Sequence, residues 1–222
     1  MRIRLISTSM ALAVALLAGC GSESNAEQPK TGVAAKVAAL TANAASKPAV
    51  PAPSSQSPSV AYDVIAKNTT GFTVGDPDAA REAFVFFDPQ CPHCAALWRA
   101  SQPLLASKQL RMTWIPVGIL SRASSPQGAT IVTADDPAKA MAEHEQLLGS
   151  GRSGISANSV AADGLADAIK YNTSLLQSML KPNDGVPYTV AKVNGKVTYV
   201  SGAMPTADLF RFLDLGSVPP KP

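Results

Sequence analysis

Apolar residues come in blocks whose spacing changes along the chain. The stretch EAFVFFD, 82–88, is a short apolar run with aromatic and branched side chains, bounded by turn signals, and predicts a buried strand. Residues 92–107 predict a helix that can pack through Ala95, Ala96, Leu97, Trp98, Leu104 and Leu105. Pro92 suits its first position, and Pro103 is expected to kink or end it. QLRMTWIPVGIL, 109–120, predicts a second strand. DDPAKAMAEHEQLLGSG then predicts a helix with Asp136 as N-cap, Pro137 at the first position, and Gly149 and Gly151 at its end. A further helical stretch, about 159–181, stops before Pro182. GVPYTVAKVNGKVTYVSG reads as two strands around Asn194-Gly195, the strongest short hairpin signal. PTADLFRFLDLG closes as a helix with Leu209, Phe210, Phe212 and Leu213 as core candidates. Upstream, VAYDVIAK predicts a short helix and GFTVGDPDA a strand end and turn.

The order is strand, helix, strand, helical insertion, hairpin, helix. Strand–helix–strand implies a parallel pair with a right-handed crossover. The hairpin adds antiparallel strands, which makes a mixed central sheet flanked by helices. The expected fold class is therefore α/β, a thioredoxin-type arrangement with an all-helical insertion at about 122–181, in a domain spanning 60–222. No repeat of 20–50 residues is visible.

The segment before that domain has a different composition. Arg2 and Arg4 precede the apolar run MALAVALLAG, 10–19, which is shorter than the roughly 20 residues that cross a bilayer. It ends in LLAGC, which resembles a bacterial lipoprotein signal. That resemblance implies removal of residues 1–19 and lipidation of Cys20. An ordinary secretory signal would equally export the chain, to a compartment where disulfides persist. Residues 20–59 are rich in Ala, Pro and Ser and are read as a low-complexity tether, since they cannot bury enough apolar surface to offset ordering. Within it, VAAKVAAL, 33–40, is expected to form only a transient helix. Removing 1–19, which holds Arg2 and Arg4 and no acid, takes the formal charge from +3 to +1. A nearly neutral mature chain gives no reason to expect nucleic-acid binding.

Only three cysteines are present, and two of them bracket Pro92 and His93 in FFDPQCPHCAALW. If Cys20 carries lipid, Cys91 and Cys94 are left as the thiols. A zinc site needs about four ligands, and His144 is the other candidate outside the motif. A structural disulfide with a two-residue spacer would constrain the unfolded chain little. A redox pair has the better physical support. Cys91 falls just before a helix whose free amides and dipole stabilise a thiolate, and a protonated His93 would add to that. Cys94, one turn further in, suits a resolving thiol. Pro187 opens a strand after Gly-Val, where it removes a ladder donor and leaves neighbouring backbone to pair with a bound peptide; a cis Val186–Pro187 bond would fit. Of the remaining residues, Trp98 and Trp114 are expected in the core or lining a groove, and His144, on a charged helix, in solvent. Asp88 is expected to cap the loop before Cys91 or to tune it.

FVFFDPQCPHCAALW, LRMTWIPVGIL and GVPYTVAKVNGKV together resemble the catalytic domain of DsbG-type thiol:disulfide oxidoreductases, of the DsbC/DsbG branch of the thioredoxin superfamily. The resemblance covers about 72–215. It implies a periplasmic enzyme with Cys91 as nucleophile and Cys94 as resolving cysteine. It also implies that Pro187 is a cis-proline facing them and that Val186 presents its backbone to substrate. No cofactor and no metal are implied. The partners implied are cysteine-containing envelope proteins and a membrane redox partner, either a quinone-linked oxidase or a DsbD-like electron donor. Three features depart from the pattern. The tether stands where such proteins carry a dimerisation domain, so a monomer is expected. The Pro92-His93 dipeptide and Val186 are similar to the oxidase DsbA. Val85 holds the place of the buried acid of DsbA. The expected activity is disulfide exchange through a mixed disulfide. Reductive rescue of sulfenylated or misoxidised cysteines is the alternative, and a thioredoxin-fold metal chaperone a more distant one.

Overall fold

The computed structural model describes residues 28–42 and 58–217. The export signal, Cys20 and most of the tether lie outside the described residues. Five strands form one mixed sheet: β1 (Phe72–Gly75), β2 (Arg81–Phe87), β3 (Leu110–Pro116), β4 (Tyr188–Val193) and β5 (Lys196–Ser201). Their order is β1-β3-β2-β4-β5, with β2 and β3 parallel and every other pair antiparallel. The parallel pair is joined by α3 (Pro92–Ala106), the crossover that the sequence order predicts. Asn194 and Gly195 both take positive φ, 50° and 77°, in the two-residue turn between β4 and β5. Those signs match a type I′ turn, whose twist suits a hairpin.

The central strand shows why its sequence lacks alternation. Ala83, Val85 and Phe87 of β2 face one core, with α3 and the inserted helices. Phe84 and Phe86 face the other, with Tyr62 and Ile65 of α2 (Pro58–Asn68). A strand covered on both faces reads as a continuous apolar run. Under α3, the rings of Phe72, Phe87, Trp98 and Trp114 meet edge to face, with Trp98 and Trp114 centroids 5.1 Å apart. Both tryptophans are core residues.

The insertion between β3 and β4 is three helices: α4 (Ser124–Thr133), α5 (Pro137–Gly149) and α6 (Ser159–Met179). α5 and α6 start at capped positions, with the Asp136 side chain accepting from the Lys139 amide and that of Asn158 from the Ala161 amide. A buried Asn172 on α6 ties the helix to the sheet, accepting from the Thr70 amide and donating to the Pro116 carbonyl. α7 (Thr206–Phe212) and a short 3₁₀ turn, Leu215–Ser217, close the described chain.

Several expectations need correction. Of the two outcomes expected at Pro103, ending the helix does not occur: α3 runs on to Ala106, since a proline in the last turn removes a single hydrogen bond there. β3 ends at Pro116, not at residue 120. Phe210 is 38% exposed and points away from the core, while Leu209 and Leu213 are buried and Phe212 packs against the core. The stretch assigned to the tether contains α1 (Gln28–Thr41), which packs on α6. Val33, Val37 and Leu40 rest on the core, Val37 sits against Gly164, and Lys36 Nζ donates to the Ala134 carbonyl (2.7 Å) and Asp135 (2.8 Å). A helix too short to stand alone gains its stability from such packing. Finally, His144 is fully buried. It lies with Met141 and Glu145 on the inner face of α5, at i, i+3 and i+4.

Candidate active site

The carboxyl end of β2 runs into a tight loop. Asp88, fully buried, organises it. Its Oδ1 accepts from the Gln90 amide (2.9 Å) and Ser124 Oγ (2.7 Å). Its Oδ2 accepts from the amides of Ile119 (2.8 Å) and Leu120 (2.9 Å). One carboxylate thereby joins the β2 end, the loop after β3 and the first turn of α4. The Asp88 carbonyl accepts from the Cys91 amide at 3.0 Å and sets Cys91 as the residue that opens α3. A second brace comes from α5. His144 Nε2 donates to the Pro89 carbonyl (2.8 Å), and its Nδ1 accepts from the Ile155 amide (3.2 Å). Burial pushes the His144 imidazole below its ordinary range, so it stays neutral and keeps this pairing. Gln90 and Gln127 complete the brace: Gln90 Nε2 donates to Gln127 Oε1 (2.6 Å), and Gln127 Nε2 to the carbonyls of Ser153 (2.7 Å) and Ile155 (2.9 Å).

Pro92 and His93 project outward, while Cys91 is 4% exposed and Cys94 fully buried. Both cysteines are reduced. The Cys91 thiol is brought down to about 6. The largest cause is the hydrogen bond from the Cys94 side chain; the backbone amides of Cys94 and His93 and the His93 imidazole add to it, against burial. Cys94 moves the other way, pushed well up by burial and by the neighbouring Cys91. At pH 7 a thiol with a pKa of about 6 is about nine-tenths thiolate. The pair therefore holds one nucleophile and one protonated partner.

The loop entering β4 faces this pair. In its thiol form Cys91 Sγ donates to the Val186 carbonyl at 3.5 Å, and the Val186–Pro187 peptide bond is cis. Ser201 on β5 clamps the loop, accepting from the Gly185 amide (2.8 Å) and donating to the Gly185 carbonyl (3.2 Å), while the Gly202 amide donates to the Pro187 carbonyl (2.8 Å). So Cys91, Cys94, Val186 and Pro187 come together at one end of the central strands β2 and β4, with His93 at the surface above them. Cys20 lies outside the described residues. Among the described residues no cluster of three or more His, Cys, Asp or Glu side chains could hold a metal. A thioredoxin family model matches residues 67–198, more than half of the chain.

The chain belongs to the thioredoxin family.

Two curated relatives sharpen the likeness. The chain is 35% identical over 72 residues to the thiol:disulfide interchange protein DsbG of Pseudomonas aeruginosa, covering 32% of this chain and 28% of that protein. It is 31% identical over 84 residues to DsbG of Escherichia coli K12, covering 38% and 34%. The chain thus spans about a third of the length of the curated relatives it matches. Among solved structures, Proteus mirabilis ScsC in a transitional conformation shares the thioredoxin fold at 18% identity and TM-score 0.56, covering 87% of this chain and all of that one. The catalytic domain of the same protein gives 18% identity and TM-score 0.53, covering 72% and 97%.

Sequence reasoning missed the residues that support this thioredoxin-family site: Ser124, Gln127, His144 and Ser201. Ser, Gln and His are common in solvated helices and loops, so identity alone marks none of them. The spacing of Met141, His144 and Glu145 was the one available signal for an inward face.

Proposed function

We propose that this chain is a periplasmic, lipid-anchored thiol:disulfide oxidoreductase that exchanges disulfides with envelope proteins through Cys91 and Cys94. The observation that carries the reading is the split of the two thiols: Cys91 is held at about 6 at the start of α3, and Cys94 is buried behind it and held up. In the reducing direction the Cys91 thiolate attacks a client disulfide. One client sulfur joins Cys91 and the other leaves as a thiolate that takes up a proton. Cys94, once deprotonated, attacks Cys91 Sγ, forms the Cys91–Cys94 disulfide and releases the second client thiolate. The oxidising direction is the reverse, with Cys91 as leaving group. A thiol of low pKa leaves faster and favours the reduced form of the enzyme, which makes its disulfide the stronger oxidant.

Val186 and Pro187 would dock the client backbone opposite Cys91, and His93 would support the thiolate. Ile119 and Leu120, 40% and 53% exposed beside the Asp88 loop, offer apolar contact to an extended client. Lipidation of Cys20 would hold the enzyme at a membrane, where a quinone-linked oxidase or a DsbD-like donor would reset it. A client sulfenic acid is a second substrate for the same thiolate: Cys91 attacks its sulfur, the oxygen leaves as hydroxide and takes a proton from solvent to become water, and Cys94 resolves the mixed disulfide, releasing the client thiolate. The test uses two variants of the full chain. Cys91→Ser is expected to abolish exchange with a dithiol peptide, and Cys94→Ser to accumulate a mixed disulfide on Cys91. Residual turnover by Cys91→Ser would overturn the assignment.

A further inference from the structure

Beside the cysteine pair lies a cavity of about 280 Å³ between α3 and α5, bordered by Gln90, Pro92, Ala95, Arg99, Glu145 and Leu148. Its size is at the lower end of small-molecule sites, which run from about 300 to 1,000 Å³, and suits a single side chain. Glu145 is the unusual member. Its side chain is 5% exposed, and neither carboxylate oxygen has a hydrogen-bond partner. A buried carboxylate without partners is costly, and such a group calls for a reason. Arg99 is the nearest cation, but it stands at the rim, 64% exposed, with Nη1 3.9 Å from Oε2, beyond hydrogen-bond reach. Burial raises the Glu145 carboxyl to about 7, against the pull of Arg99 and with a contribution from the Cys91 charge. The carboxyl is therefore poised to ionise when a donor arrives.

We infer that this cavity is a subsite for a cationic side chain of the client polypeptide, lysine or arginine, near the cysteine that reacts with Cys91, and that Glu145 is its specificity-determining residue. The wall is built for that occupant. Pro92, Ala95 and Leu148 offer apolar surface to an aliphatic stem, and Glu145, buried in the same wall with both carboxylate oxygens unpartnered, is the group that would turn to meet its charged head. The subsite selects among clients without taking part in sulfur exchange, and it rests on the oxidoreductase reading above.

The experiment uses the full chain and two peptide sets. In the first, each peptide has one cysteine pair and a single lysine moved from three residues before the reacting cysteine to three after it, with glutamine as control. One lysine position is expected to raise kcat/KM over its control by at least about fivefold, or about 1 kcal/mol at about 1.4 kcal/mol per tenfold. Glu145→Gln, which keeps shape and packing, is expected to reduce that ratio to near one while turnover of the glutamine peptide stays within about twofold. A loss of stability alone would lower both rates and leave their ratio intact. The second set replaces cysteine with serine and measures binding by NMR, so it reads the subsite even if no exchange occurs. Absence of turnover with lysine-dependent binding would sink the oxidoreductase reading and keep the subsite. No lysine preference in either set, or a preference that survives Glu145→Gln, would overturn the subsite.

Discussion

At the scale of single residues, the site works by contrast. Cys91 and Cys94 are three positions apart, share one helix end, and are pushed in opposite directions by the same neighbourhood. Alkylation of the reduced chain with iodoacetamide is expected to follow a single titration with a midpoint near pH 6, from Cys91, with Cys94 unlabelled up to pH 9. A midpoint near 8.5, that of a free cysteine, would remove the basis for the proposed nucleophile. The position of Cys91 was legible, because a Cys-x-x-Cys with proline after the first cysteine marks a strand-to-helix junction. Pro187 was legible for the same kind of reason, as a proline at the start of a strand. Glu145 and His144 were not. Their letters are those of a solvated helix, and burial came from α5 folding back over Pro89, a contact 55 residues away in the chain. Local composition carries no trace of such a contact.

At the scale of elements, strong punctuation was readable and weak punctuation was not. The Asn194-Gly195 turn and the Asp136-Pro137 start both carry residues that the backbone geometry requires. α4 has neither: its N-cap is Ala123, with no side-chain hydrogen bond, and its sequence SSPQGATIVT holds a proline and a glycine. Its helical state comes from its seat on β3 and α6. α1 was misjudged in the same way, because alanine-rich sequence near prolines reads as tether until a partner surface is known. Gly164 is the partner that matters. A Cβ there would come within 2.3 Å of Val37 Cγ1, so Gly164→Ala displaces Val37 and is expected to loosen α1 on its seat. The substitution also improves α6, since alanine is favoured over glycine by about 1 kcal/mol within a helix. The two effects separate by measurement. Trypsin cleavage after Lys36 is expected to accelerate at least about threefold in Gly164→Ala, with the melting temperature of the domain unchanged or higher. Unaltered cleavage would mean that α1 does not dock there in solution.

At the scale of the whole molecule, the sheet brings segments far apart in sequence to one end of its central strands. Because β4 runs antiparallel to β2, the start of β4 lies beside the end of β2, and Val186 reaches Cys91 across 95 residues of sequence. The inserted helices brace that end from behind through Asp88, Gln127 and His144. Redox state and stability are therefore coupled through pH. Cys91 is acidic and its folded pKa is lowered from 9.0 to about 6, so ionisation favours the folded reduced chain. That stabilisation is fully present above about pH 9 and is lost as pH falls through 6. Cys94 acts with the opposite sign, since its folded pKa is raised, and its cost begins only as unfolded Cys94 ionises near pH 9. The oxidised chain has neither thiol. The melting temperature of the reduced chain minus that of the oxidised chain is thus expected to rise steadily from pH 6 to pH 8. A flat difference over that range would show that the Cys91 thiolate is not stabilised by folding.

The exposure of Pro92 and His93 between two buried cysteines has a consequence for variation at these positions. Core positions constrain one another, so a change at one invites compensation elsewhere. The two solvent-facing letters of this motif are largely released from that bond. His93 touches the thiolate through its amide and imidazole, yet both residues are exposed and fill no space that the core needs. A shift of about 30 mV in potential corresponds to about 1.4 kcal/mol, which is within reach of replacing such neighbours. If the pair exchanges disulfides as proposed, replacements at these two positions can shift its potential while the core stays as it is.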